Sequence, residues 1–359
     1  MSVEFGEFEP EIGLEQQRKL FNAAFPEHGG VGAASIEHYR WKFHSAPGEP
    51  HSYEYEAREA GELLGYYAWI PYPYRIGGRA VTAGMACDVM TSPAARGRGI
   101  FTQLGEYALS RLDESALAFV TGYPIRREVM GGHLRVGWKV AFELPMYLRP
   151  LKSNAILASR RLGVLAPIVN LGLRALRALL AARGRGAEGY RAETGSPEEL
   201  LHGPELRTFL ERWATSVENH LVKTPEFYRW RLGAPETRYE VFRVRRDDAV
   251  VAVAVGRVAT LQGIPSLALL DLMVLDGEQP ALAALYGEID RAARRAGVEA
   301  IVTMISRHQA ARHRLRRFGF LRSPFAFKLI IRSVSDSLDV ESISAEAAWH
   351  LMWIDSDDL

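Results

Sequence analysis

One cysteine, Cys87, stands among 359 residues. That scarcity excludes an intrachain disulfide and any thiolate zinc or iron–sulfur site held by this chain alone. An excess of charge is missing as well. Forty-four basic against 43 acidic side chains leave +1, so there is no global signature of nucleic-acid binding, and no nucleic acid is expected as a partner. No apolar run approaches the roughly 20 residues that a bilayer span needs; the longest charge-free apolar stretch near the middle runs from Leu162 to Leu173. The opening MSVEFGEFEPEIGLEQQRK is acidic and lacks the basic-then-apolar order of a signal peptide, so the expected location is cytoplasmic. Acidic residues are themselves absent from Pro145 to Ala187, where Arg149, Lys152, Arg160, Arg161, Arg174, Arg177, Arg183 and Arg185 occur.

What is present is ordinary for a folded chain. Hydrophobic residues at 48% and charged residues at 24% exclude a disordered tail, a collagen-like repeat and a coiled-coil rod. The length suggests two domains at roughly 150 residues each. Helical spacing of Leu14, Leu20, Phe21 and Ala24 predicts a first helix, and Ser35 is a suitable N-cap for a second. Residues 52–90 predict three strands, punctuated by Ala60-Gly61 and Gly77-Gly78. A helix is expected over Gly99 to Leu112, a buried strand over Ala116 to Val120, a helix over Arg126 to Val136 and a strand over Trp138 to Leu148.

The second half repeats this order. Tyr39-Arg40-Trp41 returns as Tyr228-Arg229-Trp230, and Arg135-Val136-Gly137-Trp138 returns as Arg317-Phe318-Gly319-Phe320, at offsets of 189 and 182 residues. Two nearly equal offsets of this size indicate duplication of a whole domain, since solenoid repeats have periods of about 20–50 residues. The expected organisation is a first domain over 1–150, a basic helical linker over 151–198, a degenerate second copy over 199–335 and an extension over 336–359.

The strongest local signal is Asp88-Val89-Met90-Thr91-Ser92-Pro93-Ala94-Ala95-Arg96-Gly97-Arg98-Gly99-Ile100-Phe101-Thr102. A strand enters a turn with two glycines, and a helix follows. Glycine lets the backbone approach an anion closely, and a helix start presents unbonded N–H groups. The physical reading is a diphosphate cradle. It is neither a Walker loop nor a dinucleotide GxGxxG fingerprint. After the corresponding strand of the second half, Asp276-Gly277-Glu278 puts acids where the first half has arginines, and acids repel a diphosphate.

Arg96-Gly97-Arg98-Gly99-Ile100-Phe101 resembles the pyrophosphate signature of the GNAT-fold acyl-CoA N-acyltransferases, with Phe101 where that family has a small residue. The strand, helix and Gly137-Trp138 that follow resemble the end of the same fold, and the duplication resembles its two-domain members. The resemblance implies an α/β (α+β mixed-sheet) protein of two tandem GNAT-like domains, the second degenerate. It also implies acetyl-CoA, or another acyl-CoA, as co-substrate and no metal. Val89 and Met90 would meet the pantetheine arm, and Arg96, Gly97, Arg98, Gly99, Ile100, Phe101 and Thr102 would hold the pyrophosphate. The amine would attack the thioester directly. His133, at the position where many members carry a tyrosine general acid, would protonate the leaving thiolate.

Asp88 reads as a carboxylate that binds the ammonium or takes its proton through water, or else as a sheet-end acid satisfied locally. Glu128 reads as a favourable first-turn acid, and Cys87 as a buried inert thiol. Tyr66, Tyr67, Trp69, Tyr72 and Tyr74 read as core by default, and the arginines around 307–322 as a solvated basic face. The expected activity is N-acyl transfer to a primary amine of a small molecule or sugar. Two alternatives stay open: an acyl-CoA-binding scaffold without turnover, and a membrane-surface acyltransferase acting on a lipid-linked or polysaccharide acceptor. The second would use peripheral contact through 152–186, whereas the favoured reading of that segment is an interdomain helix whose apolar stripe is buried. No motif sets the acceptor or the oligomeric state.

Overall fold

The structure is a computed structural model that describes residues 2–26, 35–124, 126–183, 188–335, 338–341 and 343–356. Arg185, counted above in the basic segment, lies outside the described residues.

In chain order the first half forms β1 (Glu4–Glu7), α1 (Pro10–Ala24), α2 (Ile36–His44), β2 (Tyr53–Glu59), β3 (Glu62–Ile76), β4 (Arg79–Thr91), α3 (Ile100–Ser110), β5 (Leu117–Gly122), α4 (Arg127–Arg135) and β6 (Lys139–Pro150). Then come α5 (Asn154–Ser159), α6 (Ala166–Arg183), β7 (Tyr190–Gly195), α7 (Pro197–Leu200), α8 (Gly203–Ala214), β8 (Asn219–Leu221) and α9 (Pro225–Arg231). The remainder is β9 (Glu240–Arg246), β10 (Ala249–Leu261), β11 (Ile264–Val274), α10 (Ala281–Arg295), β12 (Ala300–Met304), α11 (Arg307–Arg312), β13 (Leu321–Ser333) and β14 (Trp349–His350).

The expected signals act locally as chemistry predicts. Ser35 accepts from the His38 amide at 3.0 Å and starts α2. Ala60-Gly61 and Gly77-Gly78 take positive φ at both turn positions, the geometry that joins twisted antiparallel strands in two residues.

The chain divides into two compact units. The first holds residues 1–142, 233–237 and 328–345; the second holds 143–232, 238–327 and 346–359. The expected cut after residue 150 falls at the end of β6, whereas the units divide inside β6 and β13. Each half therefore contributes its last strand to the unit built by the other.

Within the first unit the strands run β1-β2-β3-β4-β5-β13. The first four pair antiparallel, β4 and β5 pair parallel, and β13 closes antiparallel on β5. The second unit runs β7-β9-β10-β11-β12-β6 with the same sequence of orientations. One face of the first sheet packs α3 through Tyr67, Trp69, Ile100, Leu104, Val120 and Trp138. The other face packs Phe8 and Phe43 edge-on against Tyr66. The aromatic set on β3 is thus core, as its composition suggests: Tyr66, Tyr67, Trp69, Tyr72 and Tyr74 are all buried.

Gly84 lies where β4 meets β5. A Cβ there would sit 2.9 Å from Leu117 and 3.1 Å from both Trp69 and Val120. Overpacking of this kind costs about 1–3 kcal/mol, so urea unfolding of Gly84→Ala should show a loss of that size. An unchanged midpoint would mean that the β4–β5 contact is looser than described.

Candidate functional site

The β4–β5 pair is short. Its register runs only from Thr82↔Leu117 to Met85↔Thr121, although β4 continues to Thr91. Past Met85 the β4–β5 pairing ends, so the remainder of β4 has no parallel partner in that register. Within that stretch the β3–β4 register slips between Tyr66↔Met90 and Ala68↔Cys87. Asp88 and Val89 together therefore oppose Tyr67, and Asp88 takes φ +47. Such a bulge turns backbone groups out of the ladder.

The loop that leaves β4 is exposed from Arg96 to Gly99. Gly97 and Gly99 adopt φ +80 and +79, and a Cβ on Gly97 would meet open space within 4 Å. Gly99 is the N-cap of α3, and no side chain caps it. The Thr102 and Gln103 amides turn back to the Gly99 carbonyl at 3.1 and 3.0 Å; the first-turn amides ahead of them have no intrahelical acceptor. Arg98 is forked onto Glu59 at 2.8 and 3.0 Å.

Residues 11–141 match the family model described as an acetyltransferase (GNAT) domain. A tandem GNAT protein from the clavulanic acid biosynthesis pathway aligns over 94% of this chain and 100% of its own, with 13% identity and a TM-score of 0.58. The chain is a tandem GNAT-fold protein. It is also similar to a GCN5-related N-acetyltransferase from Anabaena variabilis, with 14% identity and a TM-score of 0.64 over 93% of this chain and 73% of that one. A GCN5-related N-acetyltransferase from Kribbella flavida gives 15% and 0.61 over 92% and 71%. No curated protein matches the sequence.

In this tandem GNAT-fold protein the predicted residues fall on both faces of the first sheet. On the α2 face, Lys42 Nζ lies 2.8 Å from Asp88 Oδ1, both side chains nearly buried. Glu54 sits in the same electrostatic neighbourhood. It accepts from the Tyr66 hydroxyl at 2.5 Å and the Ser52 hydroxyl at 2.7 Å. Burial, and then the charge of Asp88, push its pKa up to about 6 against the hydrogen bonds that lower it. The Tyr39 hydroxyl is buried with no hydrogen-bond partner, and burial first and Asp88 second raise its pKa. Lys42 and Glu54 were not singled out from the sequence. Tyr66 was read only as core, and Tyr39 only as the opening residue of the repeated motif that Tyr228 opens in the second half.

On the α3 face, His133 is boxed by Phe101, Trp138 and Tyr67 at ring distances of 5.1, 5.4 and 6.3 Å. Phe101 fills the space over Gly132, where a Cβ would clash at 2.3 Å. Burial drives the imidazole pKa down to about 4, and Nδ1 has no hydrogen-bond partner. Near neutral pH His133 is therefore a neutral ring in an aromatic box. Val89 is half-buried against the α3 core, and Met90 is buried. Glu128 is an exposed first-turn acid of α4, and Cys87 is buried. Among the described residues no group of three His, Cys, Asp or Glu side chains could hold a metal ion.

The second unit carries a segment of its own beyond the corresponding parallel pair. Its parallel pair β11–β12 stops at Leu269↔Thr303, and the strands part as in the first unit. Residues 349–355 pack there: His350 Nε2 bonds the Leu272 carbonyl at 3.0 Å, and Met352 bridges Ile305. Trp349, Met352, Trp353 and Ile354 are buried. Asp271 meets Lys223 and the Tyr228 hydroxyl at 2.8 and 2.7 Å, and Asp355 lies 3.5 Å from Lys223. Tyr228 thus holds the bond that Tyr39 lacks. The start of α10 also consumes its own amides: Ala281, Leu282 and Ala283 donate to Glu278, Gln279 and Pro280. Asp276 is paired to Arg312, and Glu278 to Arg246.

Two predictions follow from these groups. Lys42→Met leaves the Asp88 carboxylate buried without its ammonium, a change worth about 3–5 kcal/mol. Urea unfolding should show that loss and its partial recovery in Lys42→Met/Asp88→Asn; no recovery in the double variant would mean that the pair is not the source. His133 binds protons less readily folded than unfolded, so its contribution to stability is complete above about 6.5 and is lost as pH falls toward about 4. Across that window His133→Phe should lose on the order of 3 kcal/mol less stability than the parent. Parallel pH profiles for the two proteins would show that the ring does not titrate in this way.

Proposed function

We propose that the first unit transfers an acyl group, acetyl in the simplest case, from acyl-CoA to a primary amine of a small molecule or sugar. The observation that carries this reading is the coincidence, at one end of β4, of an opened parallel pair, a backbone bulge and an uncapped, glycine-entered helix start. The fit to acyl-CoA rests on the same features. The N–H groups from Gly97 to Phe101 would receive the pyrophosphate, with Arg96 adding charge, while the Thr102 amide is shared with Gly99. Val89 and Met90 backbone groups would align the pantetheine arm. The second unit, whose cleft and helix start are already occupied by its own residues, is assigned no acyl-CoA.

Chemistry follows from the α2 face. The amine nitrogen attacks the thioester carbon, the C–S bond breaks, and the oxygen charge is met by backbone N–H at the bulge. Asp88, positioned by Lys42, takes the ammonium proton through water, with Glu54 and Tyr39 completing a polar acceptor wall. His133 is proposed as proton donor to the thiolate, a step that requires its imidazolium form, which burial disfavours, and therefore an opening of the ring box by a shift of Phe101. That enclosure favours one alternative, an acyl-CoA-binding protein without turnover, and activity separates the two.

The first test is calorimetry with acetyl-CoA. Saturable binding is expected, weakened at least ~10-fold in Gly99→Asp, because an aspartate N-cap bonds the same amides and repels phosphate. Equal affinity in the variant would remove the cradle from the reading. Thiol release with an amine panel should then fall at least ~100-fold in Asp88→Asn with acetyl-CoA affinity unchanged. Binding with no thiol release for any amine would favour the non-catalytic alternative.

A further inference from the structure

The segment from α5 through α6 is built inside out. The side of α6 that meets its own unit carries Ala166, Asn170, Leu173 and Arg177, all buried or half-buried. Asn170 accepts from the Ser153 amide and hydroxyl at 2.8 and 2.9 Å and donates to Asn154 at 2.9 Å. The polar stripe is therefore turned inward. The outward side is apolar: Val164, just before the helix, is 88% exposed, and Ile168 and Leu171 are 73% and 67% exposed. Leu162, Leu165, Leu176 and Leu179 are exposed too. Among the described residues, eight of the fourteen exposed large hydrophobics fall within Leu162–Leu179. A patch of this kind on an otherwise polar surface marks an interaction site.

Charge selects the occupant. Arg160 and Arg161 stand exposed immediately before the apolar knuckle, and Arg174 is exposed on the flank of α6. No acidic residue occurs from Leu144 to Ala187. A second copy of this face would bring like charges together around its rim, whereas a surface of anionic headgroups over an apolar layer matches both features. No described helix is long and apolar enough to cross a membrane, so contact would be confined to the interface. We propose that Leu162–Leu179 is a peripheral docking surface for anionic lipid bilayers. The apolar knuckle around Val164, Ile168 and Leu171 enters the headgroup region, and Arg160, Arg161 and Arg174 meet the phosphates. This surface is independent of the acyl-transfer reading and stands or falls without it.

The test is sedimentation of the full chain with vesicles of phosphatidylcholine and phosphatidylglycerol in equal parts, and of phosphatidylcholine alone, at low and high salt. Binding to the anionic vesicles alone, weakened by salt, is expected. It should fall at least ~10-fold in Ile168→Ser/Leu171→Ser and in Arg160→Gln/Arg161→Gln. A fluorophore on Val164→Cys reports insertion directly, because Cys87 is buried and escapes labelling; a blue shift with anionic vesicles is expected. Equal binding to neutral vesicles would overturn the charge recognition. Absence of both sedimentation and blue shift would overturn the proposal. A dimer dissolved by Ile168→Ser/Leu171→Ser without vesicle binding would reassign the face to a second copy.

Discussion

Two parallel strands that separate halfway along their length govern this molecule. A parallel pair is stable only while each backbone group finds its partner, so every group past the point of parting needs another solution. In the first unit the β3–β4 register bulges at Asp88 and Val89 beyond that point, and β13 closes the far side of β5. Arg332 on β13 donates to the Val136 carbonyl after α4, which ties the returning strand to the turn before Trp138. In the second unit the same parting is met by residues 349–355, whose side chains and backbone occupy it. One geometry thus has two resolutions, a bulged strand in the first unit and a packed segment of the same unit in the second.

The buried charges follow the same division. Asp88 and Asp271 occupy comparable places beyond the last β4–β5 and β11–β12 pairs, and each meets a lysine at 2.8 Å. Burying such a pair is costly unless the remaining oxygen and hydrogen positions are also used. The second unit uses more of them: Tyr228 donates to Asp271, and Asp355 approaches Lys223 at 3.5 Å. The first unit leaves the Tyr39 hydroxyl without a partner and keeps Glu54 near its neutral form up to about pH 6. The two copies thus differ at the paired tyrosines: Tyr228 donates to Asp271, whereas the Tyr39 hydroxyl has no hydrogen-bond partner among the described residues.

Much of this architecture was readable beforehand because it rests on local chemistry. The turn dipeptides, the Ser35 cap and the apolar spacing of α3 each act over a few residues and appear where composition placed them. The duplication was legible because its anchor motifs survive at matching offsets. The exchange of last strands was not, since nothing in the residues of β6 or β13 names the parallel pair that each strand closes. The glycines of the loop announced an anion cradle, whereas Lys42 and Glu54 announced nothing. A lysine in an amphipathic helix and an acid in a strand look like solvated residues until the strands bring them to Asp88. His133 shows the converse. Its place in the sequence suggested a proton donor, and the rings that enclose it come from α3, β3 and the turn after α4.

Duplication also explains why a filled cleft can persist. A cleft without its ligand leaves polar backbone in contact with water and apolar walls poorly packed, a standing cost in a chain whose net stability is only of order 10 kcal/mol. Filling it with Trp349, Met352, Trp353 and Ile354, all buried, recovers apolar burial worth about 1.5–3 kcal/mol per large side chain. Those residues then behave as core. A unit stabilised in this way no longer needs the glycine-rich start of α3 in its own copy. The acids at Asp276 and Glu278 are consistent with that freedom, because they satisfy Arg312 and Arg246 rather than repelling a phosphate that never arrives. The first unit keeps Gly97 and Gly99 at positive φ and a helix start that no side chain caps, the features that the second copy replaces with acids paired to arginines and with α10 amides bonded to their own turn.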